Sequence, residues 1–235
     1  MLYLIGLGLD KEDISLKALE ALEKCEEVYL ETYTTTLPYK ISELENIIKK
    51  KIIILGRDKV ESDFLVERAR KHNVALLVYG DPLSATTHFA LLEDAKKKRI
   101  KAEVIHNVSI LNAISNCGLS LYKFGKTTSL PRWQENYKPT SFYDVIKENL
   151  SINAHTLLLV DPGLSLKEAI EQLNKADKDN LLKNKNIIVA SRVGTSKEKI
   201  LVGKISKLLR KKVEEPFCLI VPAVLNFFEK IKQRR

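Results

Sequence analysis

The feature of this chain that most constrains its fold is a regular alternation between short apolar segments and segments with helical spacing. Apolar runs at Leu2–Leu7, Ile52–Leu55 and Val74–Tyr79 lie beside glycines, and Ile41–Ile48 repeats its apolar residues at helical spacing. Uninterrupted apolar runs are typical of strands buried on both faces, and helices between them indicate βαβ units. The first half therefore predicts a mainly parallel sheet. Its other predicted strands are Val28–Leu30 and Ala102–Ile105, and its other helices lie around Leu16–Leu22, capped by Asp13, and at Phe64–Lys71 and Thr87–Lys98.

A second sheet, expected to be mixed, is predicted in the second half of the chain. It follows an irregular segment, Tyr122–Tyr143, which holds the single tryptophan. Helices are then predicted at Phe142–Leu150, Leu166–Asn174, Ile205–Leu209 and Val224–Lys232, and strands at Thr156–Val160, Ile187–Ser191, Ile200–Val202 and Cys218–Val221. The chain thus predicts two α/β domains, residues 1–112 and 113–235. A cleft between two such domains is a common ligand site.

Length and composition favour a soluble cytoplasmic protein. The 235 residues are 45% hydrophobic, and no apolar run approaches the roughly 18 residues of a membrane span. The opening MLYLIGLGLD has no basic region and no cleavage site of a signal peptide. Cys25, Cys117 and Cys218 lie far apart without zinc spacing, which favours buried free thiols. We expect no metal and no membrane association.

The net charge of +9 leaves two interpretations open. Lysines cluster at Lys49–Lys51 and Lys96–Lys98, and seven basic residues lie between Lys197 and Lys212 against one glutamate. Such clusters are typical of solvated helix faces, but they also occur in patches that bind nucleic acid or an acidic partner. Arginine, which suits planar phosphate recognition, is scarce at nine residues against 30 lysines.

Ligand chemistry is expected where the strands end, because ligands of open α/β sheets bind beyond the carboxyl ends of strands. The first strand ends in Gly6-Leu7-Gly8-Leu9, which lacks the third glycine of a dinucleotide fingerprint and is followed by carboxylates that would repel a pyrophosphate. The fourth strand ends in Gly80-Asp81-Pro82, followed by small residues. A turn of this kind with one acid suits a ligand that carries positive charge.

These motifs resemble the tetrapyrrole methylase superfamily and, within it, the diphthine synthase family. The resemblance covers nearly the whole chain in order. It is carried by the Gly-Leu-Gly-Leu turn, Gly-Asp-Pro-Leu-x-Ala-Thr-Thr-His at 80–88, His-x-x-Ser-Ile at 106–110, Glu-x-Tyr-Thr at 31–34, Tyr-Lys-Phe-Gly-Lys at 122–126, Pro-Thr-Ser-Phe-Tyr-Asp-Val-Ile-Lys-Glu-Asn at 139–149 and His-Thr-Leu-Leu at 155–158.

The resemblance implies a homodimeric, two-domain methyltransferase with S-adenosylmethionine in the interdomain cleft and S-adenosylhomocysteine as product. It implies trimethylation of the amino group of a 3-amino-3-carboxypropyl-modified histidine on elongation factor 2, a step of diphthamide biosynthesis. Trimethylation of the amine is the outcome in archaeal members, whereas eukaryotic members also methylate the carboxylate, and the sequence leaves both outcomes open. No nucleic acid is required directly. The implied cofactor-binding positions are Leu9, Asp81, Ser84, Ser109, Ile110, Val160, Val193 and Phe217.

No catalytic residue is assigned by the sequence. Water, His88 or Tyr33 are the candidate acceptors for the protons that the amine loses, whereas His106 and His155 are expected to serve structure. Phe217 stands where the family leads one to expect histidine, and the segment Pro162–Ser165 is short for the family. These departures concern substrate contacts of the second domain. The alternatives are another methyltransferase of the superfamily, acting on rRNA or a corrinoid, and a basic RNA-binding module.

Overall fold

The computed structural model describes residues 1–231, which form two compact units. The first unit is Met1–Leu111 and the second begins at Asn112. Among the described residues, no helix is both long enough and apolar enough to span a lipid bilayer. Cys25, Cys117 and Cys218 are all buried, as the sequence predicts.

The first unit is built on a five-stranded sheet whose strands are all parallel, which confirms the prediction. The strands are β1 (Leu2–Gly6), β2 (Glu27–Glu31), β3 (Ile53–Leu55), β4 (Val74–Val78) and β5 (Ala102–Ile105), in the spatial order β3-β2-β4-β1-β5. The helices are α1 (Leu16–Glu23), α2 (Ile41–Ile48), α3 (Arg57–Val60), α4 (Phe64–Arg68), α5 (Phe89–Lys97) and α6 (Ile110–Ala113).

The central strands of this sheet are buried on both faces, which explains why they read as continuous apolar runs. Successive side chains of a strand point to opposite faces. Tyr3 and Ile5 of β1 accordingly pack in one apolar cluster, and Leu2 and Leu4 pack in another on the opposite face. The sheet therefore needs helices on both sides, and the βαβ crossovers supply them.

The second unit is built on a mixed five-stranded sheet, again as predicted. Its strands are β6 (Thr128–Leu130), β7 (Thr156–Val160), β8 (Ile187–Ser191), β9 (Lys199–Gly203) and β10 (Phe217–Val221), in the order β6-β7-β10-β8-β9. Its helices are α7 (Ser141–Ser151), α8 (Leu166–Ala176) and α9 (Ile205–Leu208). Only the β6–β7 pair is parallel among these described strands.

Two local predictions were wrong, and one strand was missed. The closing helix predicted at 224–232 does not form over 224–231, and Lys232 lies outside the described residues. There the side chain of Asn226 accepts hydrogen bonds from the amides of Phe228 and Glu229, which favours a turn over a helix. Helix α1 is capped by Ser15 rather than by Asp13. Strand β6 was missed because its three residues, in a proline-rich stretch, carry too little apolar pattern.

Candidate functional site

The predicted ligand loops of the first unit meet at one edge of its sheet. Strands β4, β1 and β5 are neighbours and run parallel, so their carboxyl ends lie side by side. The loops that follow them hold the five positions implied in this unit. These positions are Leu9 after β1, Asp81 and Ser84 after β4, and Ser109 and Ile110 after β5.

A direct backbone pairing joins the loops after β1 and β4. The Gly8 amide donates to the Gly80 carbonyl at 3.1 Å, and the Gly80 amide donates back to the Gly8 carbonyl at 2.9 Å. Both glycines have left-handed backbone, with φ of +74° and +77°. A Cβ at Gly8 would also lie 2.3 Å from Cβ of Asp13. The glycine turn is therefore required by backbone geometry and by close approach.

The acidic stretch after the glycine turn closes the loop on itself. Oδ2 of Asp13 accepts hydrogen bonds from the amides of Leu9 (2.8 Å) and Asp10 (2.9 Å). Asn107, from the β5 loop, donates from its side chain to the carbonyl oxygens of Gly6 (3.0 Å) and Asp13 (2.9 Å). The carboxylate of Asp13 thus fixes the backbone around Leu9 and is engaged within the loop. Sequence reasoning missed Asn107, whose bonds span about a hundred positions of the chain.

Asp81 ties the β4 loop to the β5 loop. Its Oδ1 accepts from the amide of Leu83 (3.0 Å) and the hydroxyl of Ser84 (3.2 Å), and its Oδ2 accepts from Nδ1 of His106 (2.7 Å) and the amide of Asn107 (3.2 Å). Burial alone would raise the pKa of this carboxyl, but the hydrogen bonds outweigh it and leave the pKa below its ordinary value.

Asp81 is therefore buried rather than presented to solvent at the strand end. The residue is 8% exposed, and both carboxylate oxygens are engaged by neighbouring loop residues. Its carboxylate is ionised and organises the loop, so its role at a ligand would include holding the backbone of Leu83 and Asn107 in place.

Tyr33 and His88, the candidate proton acceptors, lie together beside the same loops. Nδ1 of buried His88 is 3.1 Å from the carbonyl oxygen of Pro82, and its Nε2 is 3.4 Å from the hydroxyl of Tyr33. Burial, followed by the nearby charge of Glu31, raises the pKa of Tyr33. The guanidinium of Arg57 lies over the Tyr33 ring at 5.0 Å. Tyr33 is therefore protonated at neutral pH and serves as a donor.

The three implied positions of the second unit also share one edge, that of its own sheet. Strand β10 runs antiparallel to β7 and β8, so its first residue, Phe217, lies beside Ser191 at the end of β8. Val160 ends β7, and Val193 follows β8 by two residues. The ring of Phe217 packs in the core of this unit and is 8% exposed. A ligand at this edge would meet its backbone rather than its side chain.

The short segment Pro162–Ser165 connects β7 directly to α8. Gly163 takes left-handed backbone there, with φ of +74°. Ser165 caps α8 in a reciprocal arrangement with Glu168, in which each side chain binds the other residue's amide. The segment is thus short because it forms a compact turn between strand and helix.

Two further motifs of the sequence are structural. His155 is fully buried, its Nδ1 accepts from the amide of Ala223 (2.9 Å), and its Nε2 donates to Glu229 (2.8 Å). Because Nδ1 is an acceptor, this imidazole is neutral, and burial lowers its pKa. Lys123 forms an ion pair with Glu229 at 3.2 Å. The expectation that His155 serves structure agrees with these contacts.

Several lysines in the two clusters of the first unit bind neighbouring groups of the same unit. Lys98 pairs with Asp63 and Glu67, each at 2.8 Å, and Lys50 donates to the Cys25 carbonyl at 2.5 Å. Lys51 pairs with Glu45 at 3.4 Å. These contacts support the interpretation of solvated helix faces over that of a phosphate-binding patch.

Comparison with known proteins agrees with this geometry. The sequence profile of the tetrapyrrole (corrin/porphyrin) methylases matches residues 1–209. A diphthine synthase of Methanothermobacter thermautotrophicus is 41% identical over 97% of this chain and 92% of its own length. A diphthine methyl ester synthase of Schizosaccharomyces pombe is 50% identical over 68% of this chain, a match that spans only 58% of the yeast protein. The crystal structure of a putative diphthine synthase from Entamoeba histolytica superposes with a TM-score of 0.86 at 40% identity, over 96% of this chain and 93% of that one.

Proposed function

Because the chain belongs to the tetrapyrrole methylase family and is a methyltransferase of the diphthine synthase type, we propose that its substrate is elongation factor 2. The proposed acceptor is the amino group of a 3-amino-3-carboxypropyl-modified histidine, and the proposed product is the trimethylated amine. The methyl donor of the family is S-adenosylmethionine. The observation that carries the proposal is the convergence of the loops after β1, β4 and β5 at one sheet edge.

The residues at this edge fit S-adenosylmethionine. Backbone packs closely against backbone here, since Gly8 pairs with Gly80 and a Cβ on Gly6 would lie 2.7 Å from the Gly80 carbonyl oxygen. Without side chains at these glycines, a ligand at this edge would meet bare backbone. No lysine or arginine follows these strand ends directly among positions 6–9, 79–88 and 106–110, so the edge lacks the cations of a phosphate cradle. An ionised Asp81 and neutral amides suit a ligand that carries a sulfonium and an ammonium.

We assign the cofactor contacts to Leu9, Asp81, Ser84, Ser109 and Ile110 in the first unit. Within the second unit we assign them to Val160, Val193 and Phe217, with Phe217 contributing backbone. When bound, S-adenosylmethionine supplies a methyl group on a strongly activated sulfonium. The protein's contribution is then to hold the amine in line with that methyl carbon, which requires no covalent nucleophile.

We also propose that the protein acts as a homodimer and that recognition of elongation factor 2 depends little on its lysines. The loop 33–36 follows β2, and its start is fixed by Glu31, whose Oε2 accepts from the amides of Tyr33 and Thr34 at 3.1 Å each. An ordered, largely neutral loop of this kind suits a protein substrate. Light scattering of the purified protein tests the dimer. A KM for the factor that changes little between low and moderate salt is expected, whereas a steep salt dependence would contradict this view.

The decisive experiment is methyl transfer to purified elongation factor 2 that carries the aminocarboxypropyl histidine. Mass spectrometry of the modified peptide should show up to three added methyl groups, and the unmodified factor is the control. Mild alkali hydrolyses a methyl ester but leaves N-methyl groups, so it separates the two products that the relatives' names suggest. No transfer to the modified factor, or transfer to rRNA or a corrinoid instead, would overturn the proposal.

A further inference from the structure

We propose that His106 is a catalytic residue that takes the proton from the substrate amine between methyl transfers, oriented by Asp81. This inference rests on the proposed function and adds a residue role to it. Only a neutral amine can attack the methyl carbon. The starting ammonium and the first two N-methylated products must each lose a proton before the next attack.

The position of His106 suits this role. It follows β5 directly, three residues before Ser109, and its Nδ1 lies 2.7 Å from Oδ2 of Asp81 in the β4 loop. The imidazole therefore bridges two of the three proposed cofactor loops. Its side chain is 66% exposed, whereas that of Asp81 is 9% exposed. A partner that reaches this edge can contact the ring without any rearrangement of the loops.

The hydrogen bond to Asp81 selects the tautomer of His106. The carboxylate is ionised and can only accept, so Nδ1 of the neutral imidazole carries the proton and Nε2 carries a lone pair. Among residues 1–231, Nε2 of His106 has no hydrogen-bond partner. In this arrangement a carboxylate orients one ring nitrogen of a histidine and leaves the other available, as is typical of a general base.

The other histidines are unsuited to the task. The chain has four. His72 precedes β4 and lies at the amino ends of the strands, opposite the ligand edge. His88 is buried, with Nδ1 on the Pro82 carbonyl and Nε2 facing Tyr33. Both ring nitrogens of His155 are occupied in the second unit. We therefore favour His106 over His88 and Tyr33 as the acceptor, in addition to the structural role that the sequence predicts for it.

The charged group that contacts the His106 ring is Asp81. The carboxylate of Asp13, on the β1 loop, is engaged by the amides of Leu9 and Asp10. In each cycle Nε2 takes a proton from the ammonium, the nitrogen lone pair forms the new N–C bond, and the C–S bond breaks with its electron pair left on sulfur. The imidazolium then releases its proton to water through its exposed side. After the third transfer the nitrogen has no proton to lose.

The test compares His106→Asn with the wild-type protein. The asparagine amide can still donate to Asp81 from near the position of Nδ1, but it offers no base at the position of Nε2. We expect kcat to fall about 100-fold at neutral pH, within the usual range for loss of a general base. KM for elongation factor 2 and the calorimetric affinity for S-adenosylhomocysteine should change less than twofold. The deficit should shrink as pH is raised, because the amine then loses its proton to solvent.

Two controls make the result decisive. His72→Asn, at the opposite edge, should leave kcat unchanged. Long-range proton–nitrogen NMR correlations of the wild-type protein should show His106 protonated on Nδ1 and not on Nε2. The proposal would be overturned if His106→Asn kept an undiminished kcat, or if its deficit did not depend on pH. Loss of S-adenosylhomocysteine binding in this variant, or an Nε2–H tautomer in the wild type, would overturn it as well. If the wild-type protein itself transfers no methyl group, the proposed function fails along with it. An active wild type beside an unaffected variant contradicts the role of His106 alone.

Discussion

Glu229→Gln should destabilise the second unit strongly, because the carboxylate of Glu229 holds the chain's closing segment in place. The residue is 5% exposed and accepts four hydrogen bonds. The donors are the amides of Ser120 (3.0 Å) and Asn226 (2.9 Å), Nε2 of His155 (2.8 Å) and Nζ of Lys123 (3.2 Å). Burial alone would raise the pKa of this carboxyl, but the four donors outweigh burial and lower the pKa from 4.5 to about 2.

That shift sets the magnitude. A pKa lowered from 4.5 to about 2 corresponds to about 3 kcal/mol of folding stability in favour of the ionised form, at about 1.4 kcal/mol per pKa unit. Glutamine keeps the shape but turns an amide NH₂ toward two of the donors and leaves the half-buried Lys123 without its counter-charge. We therefore expect the free energy of unfolding at pH 7 to fall by about 3 kcal/mol.

The pH dependence has a definite direction. A carboxyl whose pKa is lower in the folded state stabilises the fold fully above about pH 4.5, and this stabilisation is lost as pH falls toward about 2. His155 acts in the same sense over a higher range, because its lowered pKa makes the unfolded state bind a proton first as pH falls below about 6.5. The wild-type protein should thus lose stability over both ranges on acidification, and Glu229→Gln should lose less than the wild type over the lower one, where Asp81 still contributes.

Urea unfolding measures both effects, with the fluorescence of Trp133 as the probe, since its ring packs against the core of the second unit. Glu135→Gln is the matched control, because Glu135 is exposed in the same unit. It should change the unfolding free energy by less than about 0.5 kcal/mol. A loss below about 1 kcal/mol for Glu229→Gln, or an unchanged acid limb of the stability profile, would refute the account of this cluster.

Three further substitutions test the candidate site. Gly8→Ala should lower thermal stability and abolish S-adenosylhomocysteine binding by calorimetry, since it forces left-handed backbone on alanine and a Cβ against Asp13; normal binding would contradict the geometry of the turn. Asp81→Ala should cost about 1–3 kcal/mol in urea unfolding as well as cofactor affinity, because it removes the buried carboxylate that accepts from four donors; unchanged affinity would remove Asp81 from the site. Ile110→Trp, at a half-buried position, should block binding while circular dichroism stays native, and normal binding would show that the β5 loop is misassigned.

The sequence by itself determined the sheets and the positions of the loops. The strands Ala102–Ile105, Thr156–Val160 and Ile187–Ser191 and the helix Ile41–Ile48 have the predicted bounds, because each carries an apolar pattern of one period along its length. The glycine turns after β1 and β4 are also local signals, since left-handed backbone leaves little choice of residue there; their pairing with each other appears only in the structure.

Only the tertiary structure decided how the polar groups are used. The carboxylate of Asp81 looked available at a strand end, but partners up to 26 positions away enclose it. His106 gained its orientation from the same contact. The segment around Glu229 has an apolar spacing suited to a helix, but Phe227 and Phe228 find no core there and remain exposed. The segment's fold is set instead by a carboxylate that meets His155 and Ser120, 74 and 109 residues away. Local patterns record the burial of apolar side chains, whereas hydrogen-bond partners of this separation exist only once the sheets have brought them together.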